Sequence, residues 1–268
     1  MLIAKFEKQK NEKRKDEGSI GCMNTLAILK RELKSYFTSL IAYVIIAVFL
    51  VISGYFFYTN LVMFVMWVGS DVKLGLWQYT FQDIRFIMLL LLPLLTMRLF
   101  AEEKKLGTIE LLFTNPLRDS EILLGKYAAC LTVFLVMIML TLLYPVLLAV
   151  VFSVEIGPIA AGYLGLFLLG ASFIACGIFI SSLTENQVVA AISTIGVLVF
   201  FWFIDWNEGI AGEKAMVILH QFSLFEHFFN FTRGVIEIKD VIYYLSLIGF
   251  FLFLTMRSLE SRKWRGLA

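Results

Sequence analysis

Charged side chains are missing from three long stretches of the chain. Ser35 to Ser70 has none across 36 residues, Tyr127 to Val154 none across 28, and Ile156 to Thr184 none across 29. About 20 apolar residues suffice to cross a bilayer as a helix. Backbone groups in lipid must be satisfied within their own segment, so such runs become helices. The pattern predicts an all-α integral membrane protein with six spans, at about 40–64, 80–97, 127–152, 159–183, 188–204 and 241–256. The second is the least regular. Only the 12 residues between Arg85 and Arg98 are uncharged, so it must take in Asp83 and Arg85 near its outer end. These two are read as outer-mouth charges. Arg85 either snorkels to the interface or faces an aqueous path, and snorkelling is the simpler reading.

Before the first span the pattern is different. Residues 5–17 are mostly charged or amide side chains with no apolar period, so 1–22 read as a disordered extension. No apolar core follows the basic residues as a secretory signal requires. From Met23 the period becomes helical. Leu26, Leu29, Leu33, Tyr36 and Phe37 form one stripe, with Arg31 and Lys34 away from it. Residues 23–38 are therefore expected to be an amphipathic interfacial helix, leading into a membrane domain over 39–268.

Composition agrees with this picture and narrows it. The chain has 268 residues, of which 60% are hydrophobic and 16% charged. Soluble domains carry about a quarter charged residues. A net charge of +2 gives no reason to expect a nucleic-acid partner. Cys22, Cys130 and Cys176 have no metal-ligand spacing and are assigned no role. Lys and Arg number eighteen on the side holding both termini and the loop between spans two and three, against five on the other. Basic loops stay cytoplasmic, which puts both termini and that loop inside.

That loop is the most informative stretch. It reads Arg98-Leu99-Phe100-Ala101-Glu102-Glu103-Lys104-Lys105-Leu106-Gly107-Thr108-Ile109-Glu110-Leu111-Leu112-Phe113-Thr114-Asn115-Pro116. Gly107 breaks one helical turn, Thr108 suits the N-cap of the next, and Glu110 suits its first turn. Ile109, Leu112 and Phe113 share a face, and Asn115-Pro116 stops the helix. Asp119-Ser120-Glu121 then caps the helix leading to span three. An exposed apolar knob flanked by charges is built either to tuck against its own protein or to dock in a partner's groove.

These residues resemble the ABC-2 type transporter permeases, in particular the subgroup tied to gliding-motility and nitrous-oxide-reductase maturation systems. Further similarity lies in Lys30 to Phe37, in Leu124-Gly125-Lys126, in Ser181 to Gln187, and from Ser223 to Ile236. Leu40 departs from the proline that many members have there. The resemblance implies a coupling helix in the loop between spans two and three, seated in a groove of a separate ATP-binding subunit. Glu102, Glu103 and Lys104 would touch that subunit, and Gly107, Thr108, Ile109, Glu110, Leu111 and Leu112 would form the coupling helix. It also implies two ATP-binding subunits, a second permease subunit, and a re-entrant helical segment on the outer side. An accessory extracytoplasmic subunit is left open.

The residues independently place the energy source elsewhere. The one Gly-Lys pair, Gly125-Lys126, has Ser120 five residues before the glycine and Tyr127 after it, so it is no phosphate-binding loop. No cofactor is expected in this chain, with ATP and Mg on the partner. His220 and His227, beside Glu226, are too far apart on one helix for a single metal. The expected function is ATP-driven transport, with export as the direction and no enzymatic activity in this chain. The competing readings are a membrane anchor or scaffold for an ATP-driven surface machine, and an intramembrane enzyme. Glu102-Glu103 suggests a glutamate-pair protease, but Gly107 stands where that class has arginine. Small residues along span four, from Gly162 to Gly177, are read as packing within one subunit.

Overall fold

The computed structural model describes residues 23–67, 75–107, 118–151, 155–206 and 223–265, all helices, turns and short connections. The helices are α1 (23–38), α2 (Leu40–Trp67), α3 (Gly75–Thr96), α4 (Arg98–Lys105), α5 (Asp119–Thr141), α6 (Leu143–Val151), α7 (Ile156–Leu183), α8 (Gln187–Trp206), α9 (Leu224–Thr232) and α10 (Ile238–Arg265). Among the described residues, five continuous helical stretches are long and apolar enough to cross a membrane: Leu40–Met66, Gly75–Lys105, Asp119–Val150, Ile156–Leu183 and Ile238–Ser261. The expected fifth span, 188–204, corresponds to a shorter apolar helix, Gln187–Trp202. The second span starts at Gly75 rather than near Thr80, so Asp83 and Arg85 lie well inside α3.

The bundle is built around α7, which packs against α3, α4, α5, α8, α9 and α10. Its most apolar window is 83% buried, against 28% for α2 and 22% for α10, so those two lie at the periphery. The close approach depends on the glycines of α7. Phe81 presses on Gly162, Phe231 on Gly165, Phe134 on Gly170 and Thr96 on Gly177. Each neighbour occupies the space that a Cβ would need, and all four come from this same chain.

The break between α5 and α6 has a local cause. A proline ring clashes with the carbonyl four residues back. For Pro145 that carbonyl belongs to Thr141, where α5 ends, and it accepts a hydrogen bond from the Tyr163 hydroxyl at 3.0 Å. Beyond the break, the Tyr144 hydroxyl lies 2.9 Å from Ser53 Oγ and donates to the Leu50 carbonyl at 3.1 Å, tying α6 to α2.

Contacts along α7 give its neighbours their directions. Ser258 of α10 donates to the Ser182 carbonyl at the end of α7. Gly234, before α10, lies against Pro158 at the start of α7. α7 and α10 therefore run parallel. α8 begins just past the end of α7, and its Trp202 reaches Phe86 of α3 and Phe225 of α9 at 5.3 Å each. α9 lies along the middle of α7, with Phe225 meeting Phe173 and Phe231 at Gly165.

Candidate functional site

One end of the bundle gathers α1, α4, the start of α5 and the ends of α7 and α10. Its centre is Lys126, whose side chain is 1% exposed. The ammonium donates to Glu103 Oε1 at 2.8 Å, Glu32 Oε1 at 3.1 Å and the Leu99 carbonyl at 2.9 Å. Three acceptors match the three donors of a lysine, which makes its burial tolerable. Arg31, half exposed, bonds both carboxylates at 2.7 and 3.2 Å, so the four-residue cluster is neutral. Gly125 lets α1 come close enough for this, since a Cβ there would stand 2.7 Å from Ile28 Cγ2. Burial opposes the charge on Glu32, but Lys126 and Arg31 outweigh it and hold its carboxyl below the usual range.

The second feature is the joint between α3 and α4. Met97 keeps helical φ and ψ, but its side chain makes no cap. Ser181, buried on α7, takes that part from another helix. Its Oγ accepts the N–H groups of Phe100 and Ala101, both at 3.2 Å, and donates to the Met97 carbonyl at 2.9 Å. The Tyr36 hydroxyl of α1 donates to the Leu95 carbonyl at 3.0 Å. Burial pushes that phenol well above its usual range, so it remains a neutral donor. Carbonyls at 95, 97 and 99 are thus gripped by α1, α7 and α5 in turn. Arg98 lies over the Tyr36 ring at 4.5 Å and donates to Ser39 Oγ at 3.0 Å.

At its far end α4 is held by Lys104, which donates to the Ser182 carbonyl. Leu106 closes the helix, and Gly107 follows with φ +67°, a left-handed C-terminal stop that glycine adopts without strain. A pocket of about 310 Å³ opens between α1 and α4, lined by Arg31, Glu32, Tyr36, Arg98 and Glu102 among others. A second, of about 340 Å³, lies between Lys105 and the turn Glu185-Asn186-Gln187.

Glu103 and Lys104 are therefore turned into the bundle, with Glu102 partly exposed beside them. Gly107 marks the break expected there. Thr108, Ile109, Glu110, Leu111 and Leu112 lie outside the described residues, as does the extension over 1–22. The helix after them caps at Arg118, not at Asp119. Glu121 instead accepts from the Arg118 N–H and from Asn24 of α1. The α1 stripe divides. Tyr36 is buried and Leu29 and Leu33 are half-buried, while Leu26 and Phe37 are exposed.

Away from this end, Asp83 accepts a hydrogen bond from Asn60 of α2 at 2.7 Å. The Arg85 guanidinium lies over Phe225 at 4.4 Å, Trp202 at 5.5 Å and Phe228 at 6.0 Å. It is turned toward aromatic rings of α8 and α9. His227 pairs with buried Asp240 at 2.6 Å, Asn230 donates to the same carboxylate at 3.0 Å, and His227 stacks on Tyr243. His220 lies outside the described residues. Among the described residues no group of three His, Cys, Asp or Glu is placed to hold a metal.

The sequence pattern assigns no role to Lys126 or Ser181. Lys126 did carry a signal: it is the last charge before 28 uncharged residues, where an ammonium needs acceptors. Ser181 carried none.

The arrangement is a helical bundle of membrane-crossing length with a short charged helix clamped at one end. Residues 26–257 match the family described as ABC-2 family transporter protein, and the chain belongs to that family. It is a multi-pass membrane protein and the permease component of an ABC transporter, a family that works with an ATP-binding subunit. No curated protein matches the chain.

Proposed function

We propose that this permease couples ATP hydrolysis on a separate ATP-binding cassette subunit to substrate movement, as export across the inner membrane. The observation that carries the reading is the clamped helix α4. It is held by Lys126 and Ser181, with Tyr36 fixing the last turn of α3 just before it, and leads through Gly107 directly into 108–112, the segment expected to dock on the partner. A rigid strut ending in a docking segment transmits displacement, whereas a loose loop absorbs it. Glu102 and Lys105, exposed to different degrees beside it, are left to face the partner with 108–112.

The strong basic bias puts the clamped end, both termini and the 98–118 loop in the cytoplasm. α8 is read as the fifth of six crossings, because parallel α7 and α10 require the chain to return between them. α9 is read as the re-entrant segment of the outer leaflet. Two permease subunits, as a homodimer or heterodimer, would pair above two ATP-binding subunits, which hold ATP and Mg. The similarity to gliding-motility and nitrous-oxide-reductase maturation permeases is retained as the subgroup proposal.

The test is to replace Gly107 with Val and Glu110 with Lys, then measure co-purification with the ATP-binding subunit and its stimulated hydrolysis. The reading predicts loss of both. Undiminished binding and stimulation would remove the segment from this role.

A further inference from the structure

Ser181 is wholly buried, yet its hydrogen bonds go to a neighbouring helix. Serines within helices ordinarily bond the carbonyl three or four residues back, as Ser182 does to Phe179 at 2.7 Å. Ser181 instead reaches across to the α3–α4 joint, accepting two backbone N–H groups and donating to one carbonyl. A side chain inserted into a helical ladder is a recognised cause of a kink. A helix start without a cap leaves backbone donors that need an outside acceptor. Both conditions are met at the same oxygen, 81 and 80 residues away in sequence from the amides it serves.

We propose that Ser181 is a positioning residue: its hydroxyl, acting as an N-cap supplied from α7, sets the angle at which α4 leaves the membrane bundle. Removing the oxygen frees the two amides and the Met97 carbonyl to re-form a continuous ladder with α3, and α4 swings accordingly. Lys104 then remains as the distal tether, on the Ser182 carbonyl. The functional weight of this angle rests on the coupling reading above, since α4 carries the segment expected to meet the ATP-binding subunit. The geometric claim does not depend on it.

The experiment places spin labels at Lys105→Cys on α4 and Ser261→Cys on α10, both exposed, after replacing Cys22, and measures their separation in detergent-purified permease. Ser181→Ala is compared with Ser182→Ala. The control also deletes a fully buried hydroxyl, but one that bonds only within α7. It leaves the carbonyl holding Lys104 in place. We expect a single narrow distance for wild type and Ser182→Ala, and a shifted or broadened one for Ser181→Ala in protein of unchanged elution and melting cooperativity. A Ser181→Ala distribution matching wild type overturns the proposal. So does an equal broadening in both variants, which would reflect general loosening. A third variant, Ser181→Gly, also lacks the oxygen and must show the same shift. Stimulated ATP turnover by the co-purified ATP-binding subunit is read in parallel. A shifted α4 with full stimulation upholds the hinge and contradicts the coupling role instead.

Discussion

The Lys126 ammonium and the Glu103 carboxylate lie 2.8 Å apart, joining a helix that continues into the membrane to one that leaves it. Neither residue is conspicuous alone. Together with Glu32 and the Leu99 carbonyl they leave the buried lysine with no unmet donor.

Replacing Lys126 with Met leaves Glu32 and Glu103 with only the half-exposed Arg31 between them and empties the buried side of the cluster of its cation. Loss of one partner from a buried ion cluster costs on the order of 3 kcal/mol. Arg31→Ala, at the half-exposed edge, should cost less than about 1 kcal/mol. Thermal unfolding of the two variants in one detergent would show the difference, and equal effects would contradict this account of the cluster.

The cluster should also make stability sensitive to acid. Glu32 is held below its unfolded value of 4.5 by its two cations. Its contribution is therefore fully present above that value and is lost as pH falls through the lower folded value. Melting temperatures measured downward from neutrality should fall there more steeply in wild type than in Lys126→Met.

The glycines of the bundle differ in kind, some packed against a neighbour and some facing open space. Gly170→Ala drives a methyl into Phe134 and Met88, an overpacking that costs about 1–3 kcal/mol. Gly196→Ala and Gly249→Ala meet nothing within 4 Å and should be neutral, or stabilising by up to about 1 kcal/mol from helix propensity. Purified yield and melting point of the three variants check the ordering.

Arg85 tests the opposite end. Its planar cation lies on Phe225, a contact worth about 1 kcal/mol that lysine reproduces poorly. Arg85→Lys should loosen α9 from α3, seen as faster proteolysis near 223–235, even though the charge is retained. Unchanged proteolysis would show that charge alone suffices.

Much of this was legible in the residues, and the parts that were not share a cause. Long uncharged runs located the membrane helices because burial in lipid is a composition requirement. The stop at Gly107 was legible because it is local. The α1 stripe was only half legible. Its apolar positions serve two neighbours, so Tyr36 turns to the protein while Leu26 and Phe37 are exposed. Period alone does not distinguish lipid from protein. The inward turn of Glu103 and Lys104 was hidden because their acceptors lie on other helices, as was the aromatic setting of Arg85. Ser181 acts on residues some eighty positions away, beyond the reach of any local pattern.

The central claim is that the clamped end of the bundle transmits ATP-driven motion, and stimulated turnover in proteoliposomes tests it most directly. Permease and ATP-binding subunit would be reconstituted with wild-type chain or with Lys126→Met, at a temperature where both remain folded. The account predicts that the variant still co-purifies with the ATP-binding subunit, whose basal hydrolysis persists, while stimulation by the permease is lost. Full stimulation by Lys126→Met would contradict it.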